Sequence, residues 1–140
     1  MNQNEAVLRQ VRTLLERKRD LFRHYLTVLE QQEIDIEGYD ITKLENHVTL
    51  ETEVLKELQT LQRVIEPLER TLETESGVSL LQGTVKNLSD QIRVQHERNQ
   101  ELLSRRTVEL TEQIDRLHVP VHAKSVYGSK NTASLVDLVL

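Results

Sequence analysis

The sequence predicts an all-α protein, an elongated antiparallel three-helix bundle of coiled-coil type with a flexible C-terminal tail containing a short amphipathic helix. From Asn4 to Leu117, apolar residues recur every three or four positions, which is the spacing of one helix face. Only four glycines and two prolines occur in 140 residues, so few positions favour a turn. Aromatic residues make up 3% of the chain, so Leu, Val and Ile must build the core. We therefore expect a bundle domain over residues 1–118 and a tail over residues 119–140.

The first predicted helix covers residues 4–32. Lys18 occupies the one polar slot in its main apolar seam. A second apolar column, spaced by seven residues, lies beside that seam, so the apolar stripe is wider than a two-stranded coiled coil needs. We expect this helix to contact two neighbours at once. The seam consists of Leu8, Val11, Leu15, Phe22, Tyr25 and Leu29, and the second column of Val7, Leu14, Leu21 and Val28.

The second predicted helix covers residues 41–73. Before it, Gly38 can adopt a left-handed conformation and Asp40 is a good N-cap residue. Pro67 lies inside the helix, where the missing donor and the ring clash cost about 3 kcal/mol. Because the apolar spacing continues to Leu72, we expect a kink near Arg63–Pro67 and no stop.

The third predicted helix covers residues 79–117 and follows a break at Ser76 and Gly77. Two apolar blocks flank a polar stretch that carries Gln95 and Asn99 at seam positions. If the three helices are aligned at their centres, Lys18, Gln95 and Asn99 lie at one height, with Glu51 or Gln62 as a further contributor. Such a polar layer would fix the register of the helices, and a functional cleft is the alternative.

Composition and charge exclude several classes of function. The net charge is −5 with both signs interspersed, so there is no basic stripe for nucleic acid. No apolar run approaches the ~20 residues of a membrane span, and the first residues do not resemble a secretory signal. With no cysteine as well, we expect a cytoplasmic protein without stable membrane insertion.

No pattern of residues points to catalysis, a cofactor or a metal. His96 and Glu97 begin like a zinc-protease motif, but the second histidine is missing. His118 and His122 are four residues apart, but Pro120 between them prevents a regular helix. We therefore expect a protein that is not an enzyme.

The tail is the part of the sequence that the bundle pattern does not explain. It passes through a stretch rich in small residues and ends in an apolar segment, residues 135–140, in which a short helix could begin at Thr132. Such a segment is too short to stay helical alone in water. It could dock on its own bundle, bind another protein chain, or lie on a membrane surface.

Several stretches resemble the FlgN family of flagellar export chaperones over essentially the whole chain. Gly38-Tyr39-Asp40 followed by Leu44 is similar to the family's glycine–aspartate approach to its second helix. The family has a Glu…Leu-x-x-Leu-Gln stretch, which Glu51 and the segment 58–62 (Leu-Gln-Thr-Leu-Gln) resemble. The segment 99–103 (Asn-Gln-Glu-Leu-Leu) is similar to the Asn-x-x-Leu-Leu segment of its third helix. Val126-Tyr127-Gly128 resembles the Tyr-Gly element that begins its tail, although Ser129, Lys130 and Asn131 replace the Asp-Gly often found next.

The resemblance implies a bacterial cytoplasmic chaperone. Such a protein would bind the C-terminal helices of hook-associated (hook–filament junction) proteins and deliver them for flagellar type III export. It implies the export gate or its ATPase as further partners, no cofactor, and a monomer or weak homodimer. We expect the client to contact Val126, Tyr127, Leu135, Val136, Leu138 and Val139. The alternative is a structural coiled-coil scaffold or oligomerisation subunit without client binding.

Overall fold

The computed structural model describes residues 2–72, 77–117, 139 and 140, without the side chains of residues 2–4, 114 and 117. It contains three helices, α1 (Asn2–Glu37), α2 (Ile41–Thr71) and α3 (Ser79–Leu117). At 1.5 Å per residue they are about 54, 47 and 59 Å long. The predicted all-α three-helix bundle is thus confirmed, whereas nearly all of the predicted tail lies outside the described residues.

Helix α1 is the central element of the bundle and packs against both other helices. It runs antiparallel to α2, because Lys18 bonds Gln62 whereas Gln32 reaches back to His47. It runs parallel to α3. Among the described residues, no Cα atom of α2 lies within 8 Å of one of α3. The backbones of α2 and α3 therefore stay apart, and the two helices can meet only through their side chains.

The end of α1 differs from the prediction in two respects. The helix continues to Glu37 and does not end near Gln32, because Ile36 extends the buried seam by one turn. The residue with the left-handed conformation is Tyr39, with φ of 52°, and not Gly38. The amide of Asp40 bonds the Asp35 carbonyl (2.9 Å) and the amide of Tyr39 bonds that of Ile36 (3.2 Å), which is a Schellman motif.

Helix α2 begins and continues as predicted. The Asp40 carboxylate accepts a hydrogen bond from the Lys43 amide (3.1 Å) and so caps the first turn. The helix passes through Pro67 and ends at Thr71. The prediction that Pro67 does not stop the helix is confirmed.

Three clusters of buried side chains follow one another along α1. The largest lies in the middle, where Phe22, Tyr25 and Leu29 meet residues of α2 and α3. A second surrounds Val11, Leu15 and Ile65, and a third surrounds Ile36 and Leu44 at the α1–α2 turn. The core is therefore built almost wholly from aliphatic side chains, as the composition indicates.

Candidate binding groove

A groove lies beside α1, and the last two residues of the sequence form part of its lining. Leu15, Lys18 and Phe22 of α1 line it, together with a face of α3 and with Glu69 of α2. Its volume is about 320 Å³. The α3 face contributes Gln82, Val85, Lys86, Ser89, Asp90 and Arg93, and the chain's own end contributes Val139 and Leu140.

Val139 is buried in this groove, with 6% of its surface exposed. It belongs to the central cluster that also contains Phe22 of α1, Leu55 of α2 and Val85 of α3, and Leu140 packs against that cluster. The groove thus accepts aliphatic side chains from a segment outside the three helices.

Lys18 is a half-buried cation in the wall of the groove. Its ammonium donates a hydrogen bond to the side-chain carbonyl of Gln62 (2.7 Å) and lies 5.4 Å from the centroid of the Phe22 ring. Burial lowers the pKa of Lys18 below its ordinary value, and the charge of Glu69 offsets part of that effect. The polar slot in the α1 seam is therefore matched by an amide and an aromatic ring, with no carboxylate in direct contact.

Three cations and two side-chain carboxylates line the groove, and they differ in whether they are paired. Lys86 pairs with Asp90 (3.4 Å), and Glu69 accepts a hydrogen bond from Gln82 (2.9 Å). Arg93 has no hydrogen bond or ion pair to any other residue that the structure describes. Lys18 and Arg93 are thus two cations of this groove that no neighbouring carboxylate neutralises directly.

The predicted single polar layer is wrong, because the structure separates its members. Lys18 bonds Gln62 at the groove. Asn99 donates to the Leu29 carbonyl (2.8 Å), and Gln95 donates to Asn99 (2.9 Å) and Glu33 (2.7 Å). Leu29 lies three helical turns beyond Lys18. The prediction failed because α3 begins beside the second quarter of α1, so the helix centres are not level.

A buried polar network joins α1 and α2, and sequence reasoning found only one of its members. The Glu51 carboxylate, with 2% of the residue exposed, accepts hydrogen bonds from Tyr25 (2.8 Å) and from Gln32 (2.8 Å). Asp35 is hydrogen-bonded to His47 one turn further on. The sequence did contain a signal that the buried face of α1 extends to this network, because Gln32 and Ile36 continue the three–four spacing from Leu29.

A third polar group connects the α1–α2 turn to α3. The Tyr39 hydroxyl donates to Glu109, and Arg106 lies 5.0 Å from the Tyr39 ring while pairing with Glu109 (2.8 Å). The hydrogen bonds from Tyr39 and Arg106 lower the pKa of Glu109, and the bond between Tyr39 and Glu109 raises the pKa of Tyr39. These contacts hold Tyr39, the turn residue in the left-handed conformation, against α3.

Of the predicted client-contacting residues, only Val139 lies within the described part of the chain. Val126, Tyr127, Leu135, Val136 and Leu138 lie outside it, as do both histidines near Pro120. Within the described ranges, no three His, Cys, Asp or Glu side chains are grouped to bind a metal ion. No helix in that part of the chain has the length and apolarity of a membrane span.

These features define a helical-bundle protein with a groove of mixed apolar and charged lining, to which the chain's own end contributes. A sequence comparison places the protein in a family. The chain is 30% identical over 139 residues to an uncharacterized protein of Treponema pallidum (strain Nichols). The aligned region covers 96% of this chain and 90% of that protein, so the chain belongs to the same family. No model of a known protein family matches the sequence, and no solved structure matches it.

Proposed function

We propose that this protein is a bacterial cytoplasmic export chaperone for flagellar hook-associated proteins. It binds their C-terminal helices, prevents them from aggregating before assembly, and delivers them to the flagellar type III export apparatus. The proposal requires binding alone, without catalysis or a cofactor.

The burial of Val139 is the observation that carries this proposal. A groove that accommodates an aliphatic residue from outside the three helices can accommodate similar residues of an amphipathic client helix. Covering such residues removes apolar surface that would otherwise drive aggregation. The bundle thus offers a docking mode in which helix packs against helix.

The stretches that resemble FlgN proteins support the proposal through the fold. Gly38, Tyr39 and Asp40 form the Schellman turn, and Glu51 and Asn99 are buried at helix–helix contacts. Leu102 and Leu103 pack against the cluster at that turn. Most of the shared pattern therefore specifies the bundle, and the resemblance of the client-binding tail rests on Val126-Tyr127-Gly128.

Calorimetric titration with C-terminal peptides of hook-associated proteins tests the function. We expect the full-length chain to bind these peptides and to suppress light scattering by the corresponding full-length protein. A variant with Leu135→Ser and Leu138→Ser should bind much more weakly, because it removes apolar residues of the predicted client-contacting segment. Leu80→Ser is the matched control, since Leu80 is 88% exposed at the start of α3. Absence of binding by the unmodified chain would contradict the proposal.

A structural scaffold is the second candidate, and one surface feature favours it. Leu80, Val94 and Val108 are exposed on α3 and separated by fourteen residues, which is two heptads. Such a column could pair with another helix. Sedimentation equilibrium of the full-length chain tests this candidate: a dimer that dissociates on V94D and V108D substitution supports it, and an unchanged mass contradicts it.

A further inference from the structure

The groove at Val139 combines three properties that point to exchange of its occupant. It is lined in part by the chain's own end, it lies where α2 and α3 keep their backbones apart, and it carries two cations, Lys18 and Arg93, that no carboxylate among the described residues contacts directly. We propose that an amphipathic partner helix, carrying adjacent aliphatic residues next to an acidic residue, enters this groove by displacing Val139 and Leu140. This inference rests on the proposed function: the client takes the place of Val139 and Leu140 on the bundle, and the tail residues released in this way are then free to make the client contacts proposed above.

Val139 adds to the core, but contacts among the three helices themselves also hold the bundle together. Helix α1 packs against α2 and α3 independently. Near the groove, Gln82 and Glu69 connect α3 directly to α2. Loss of Val139 from the groove therefore leaves these contacts in place, and another aliphatic side chain can take its position.

Charge determines which partner helix fits the groove. Among the described residues, Lys18 hydrogen-bonds the neutral side chain of Gln62 and lies over the Phe22 ring, and Arg93 makes no hydrogen bond or ion pair. A carboxylate on the incoming helix would meet these cations in a partly apolar setting, where charge attraction is less screened than in water. The chain's own end has this chemistry in its sequence, because Asp137 precedes Leu138, Val139 and Leu140.

A fluorescent peptide with the sequence of residues 132–140 is the probe for exchange. Its anisotropy is measured with three forms of the full-length chain: unmodified, V139S with L140S, and V94S. The two serine substitutions remove the aliphatic side chains with which the chain's own end packs on the bundle, whereas Val94 is 67% exposed and its substitution leaves that packing unchanged. Circular dichroism checks that each form is folded, and the single substitution L140S is a milder second variant.

The expected result is that the peptide binds the V139S/L140S chain about tenfold or more tightly than the unmodified chain. Tethered competition produces this difference, because the chain's own end is present at a high effective concentration. L140S should give an intermediate affinity, and V94S should match the unmodified chain. Equal affinity for all forms, or no binding to the V139S/L140S chain, would overturn the proposal.

A second measurement tests the charge requirement. A peptide with Asp137→Asn should bind the V139S/L140S chain several-fold more weakly, and this difference should shrink when Lys18→Met is added. Lys43→Met, on the exposed surface of α2, is the control and should leave the difference unchanged. If the Asp137→Asn peptide binds as well as the original, the acidic part of the proposal is wrong.

The C-terminal peptides of hook-associated proteins separate this inference from the proposed function. If they compete with the fluorescent peptide, both proposals hold. If they do not bind at all while the fluorescent peptide still exchanges, the groove proposal stands and the chaperone assignment fails. If they bind the unmodified and V139S/L140S chains equally, the chaperone assignment stands and the exchange proposal fails.

Discussion

Glu51 shows what a single buried carboxylate contributes to this bundle. Its two oxygens accept hydrogen bonds from Tyr25 and Gln32, so one residue of α2 satisfies two buried donors of α1. Leaving such donors without an acceptor costs more than the hydrogen bond itself contributes. The pairing therefore penalises any slip of α2 along α1.

Substitution of Glu51 by Gln should destabilise the protein clearly. The new amide group has one acceptor and presents donors to a donor, so the free energy of unfolding should fall by about 1–3 kcal/mol. Urea denaturation followed by circular dichroism measures this change. Glu57→Gln on the same helix is the control, because its ion pair with Arg17 is exposed and should contribute less than about 1 kcal/mol. Equal losses for the two variants would contradict a special role for Glu51.

The buried hydroxyl of Tyr25 should make the bundle sensitive to alkali. Burial, and then the charge and hydrogen bond of Glu51, raise the pKa of Tyr25 above its ordinary value of 10.0. The folded state therefore keeps its proton while the unfolded state loses it, so stability is full below pH 10 and falls as the pH rises above it. The slope approaches about 1.4 kcal/mol per pH unit for this one group.

Comparison of the unmodified protein with Tyr25→Phe isolates this effect. Lys18, whose pKa burial lowers, acts in the opposite sense in the same pH range, but it is present in both proteins. We expect the stability difference between the two proteins to shrink steadily between pH 10 and pH 11.5 in urea titrations. A difference that stays constant with pH would show that Tyr25 ionises in the folded state.

At the scale of the helical elements, the α1–α2 turn places a bulky residue where glycine is favoured. Tyr39 has a φ of 52°, which costs a residue with a β-carbon about 1–2 kcal/mol. Its ring and hydroxyl contact Arg106 and Glu109 of α3. The contact with α3 therefore offsets local strain at the turn.

Two substitutions of Tyr39 separate these contributions. Both Ala and Gly remove the contacts with α3, but only Ala keeps the unfavourable backbone conformation. Tyr39→Ala should therefore be less stable than Tyr39→Gly by about 1 kcal/mol in thermal unfolding. Gly83 is the reference position inside α3, where an added β-carbon meets no atom within 4 Å. There Gly→Ala should stabilise by about 0.5–1 kcal/mol, so the two sites should respond with opposite signs.

Heptad spacing was sufficient to predict the number of helices, their order and the N-cap of α2. It failed at the end of α1, because the seam there turns polar at Gln32 and Asp35, which look like surface residues when their partners are unknown. It also failed to predict the relative positions of the helices along the bundle axis. These positions depend on how far α3 is displaced along α1, which is set by packing and not by periodicity.

At the scale of the whole molecule, the chain's end contributes to the core of a domain formed by distant segments. The sequence showed that residues 135–140 needed a partner, but it left open whether that partner is the bundle, another chain or a membrane. For Val139 the answer depends on the space between α2 and α3, which no local pattern encodes. The groove was therefore beyond sequence reasoning, whereas the need of residues 135–140 for some partner was not.

Val139→Ser should reduce the stability of the whole bundle. Removal of a nearly buried valine should lower the free energy of unfolding by about 1–2 kcal/mol. Val94→Ser, on the exposed side of α3, should change it by less than about 0.5 kcal/mol. Denaturant titration of both full-length variants measures the difference. Identical midpoints would mean that Val139 does not contribute to the core in solution.

The central position of α1 also determines the order in which the chain can assemble on the ribosome. The α1–α2 hairpin can form as soon as Thr71 has emerged, whereas bonds such as Asn99 to Leu29 join residues 70 positions apart. At 5–20 residues per second, synthesis of the roughly 46 residues from Thr71 to Leu117 takes about 2–9 s. During that interval the nascent hairpin exposes the apolar side of α1 that α3 later covers.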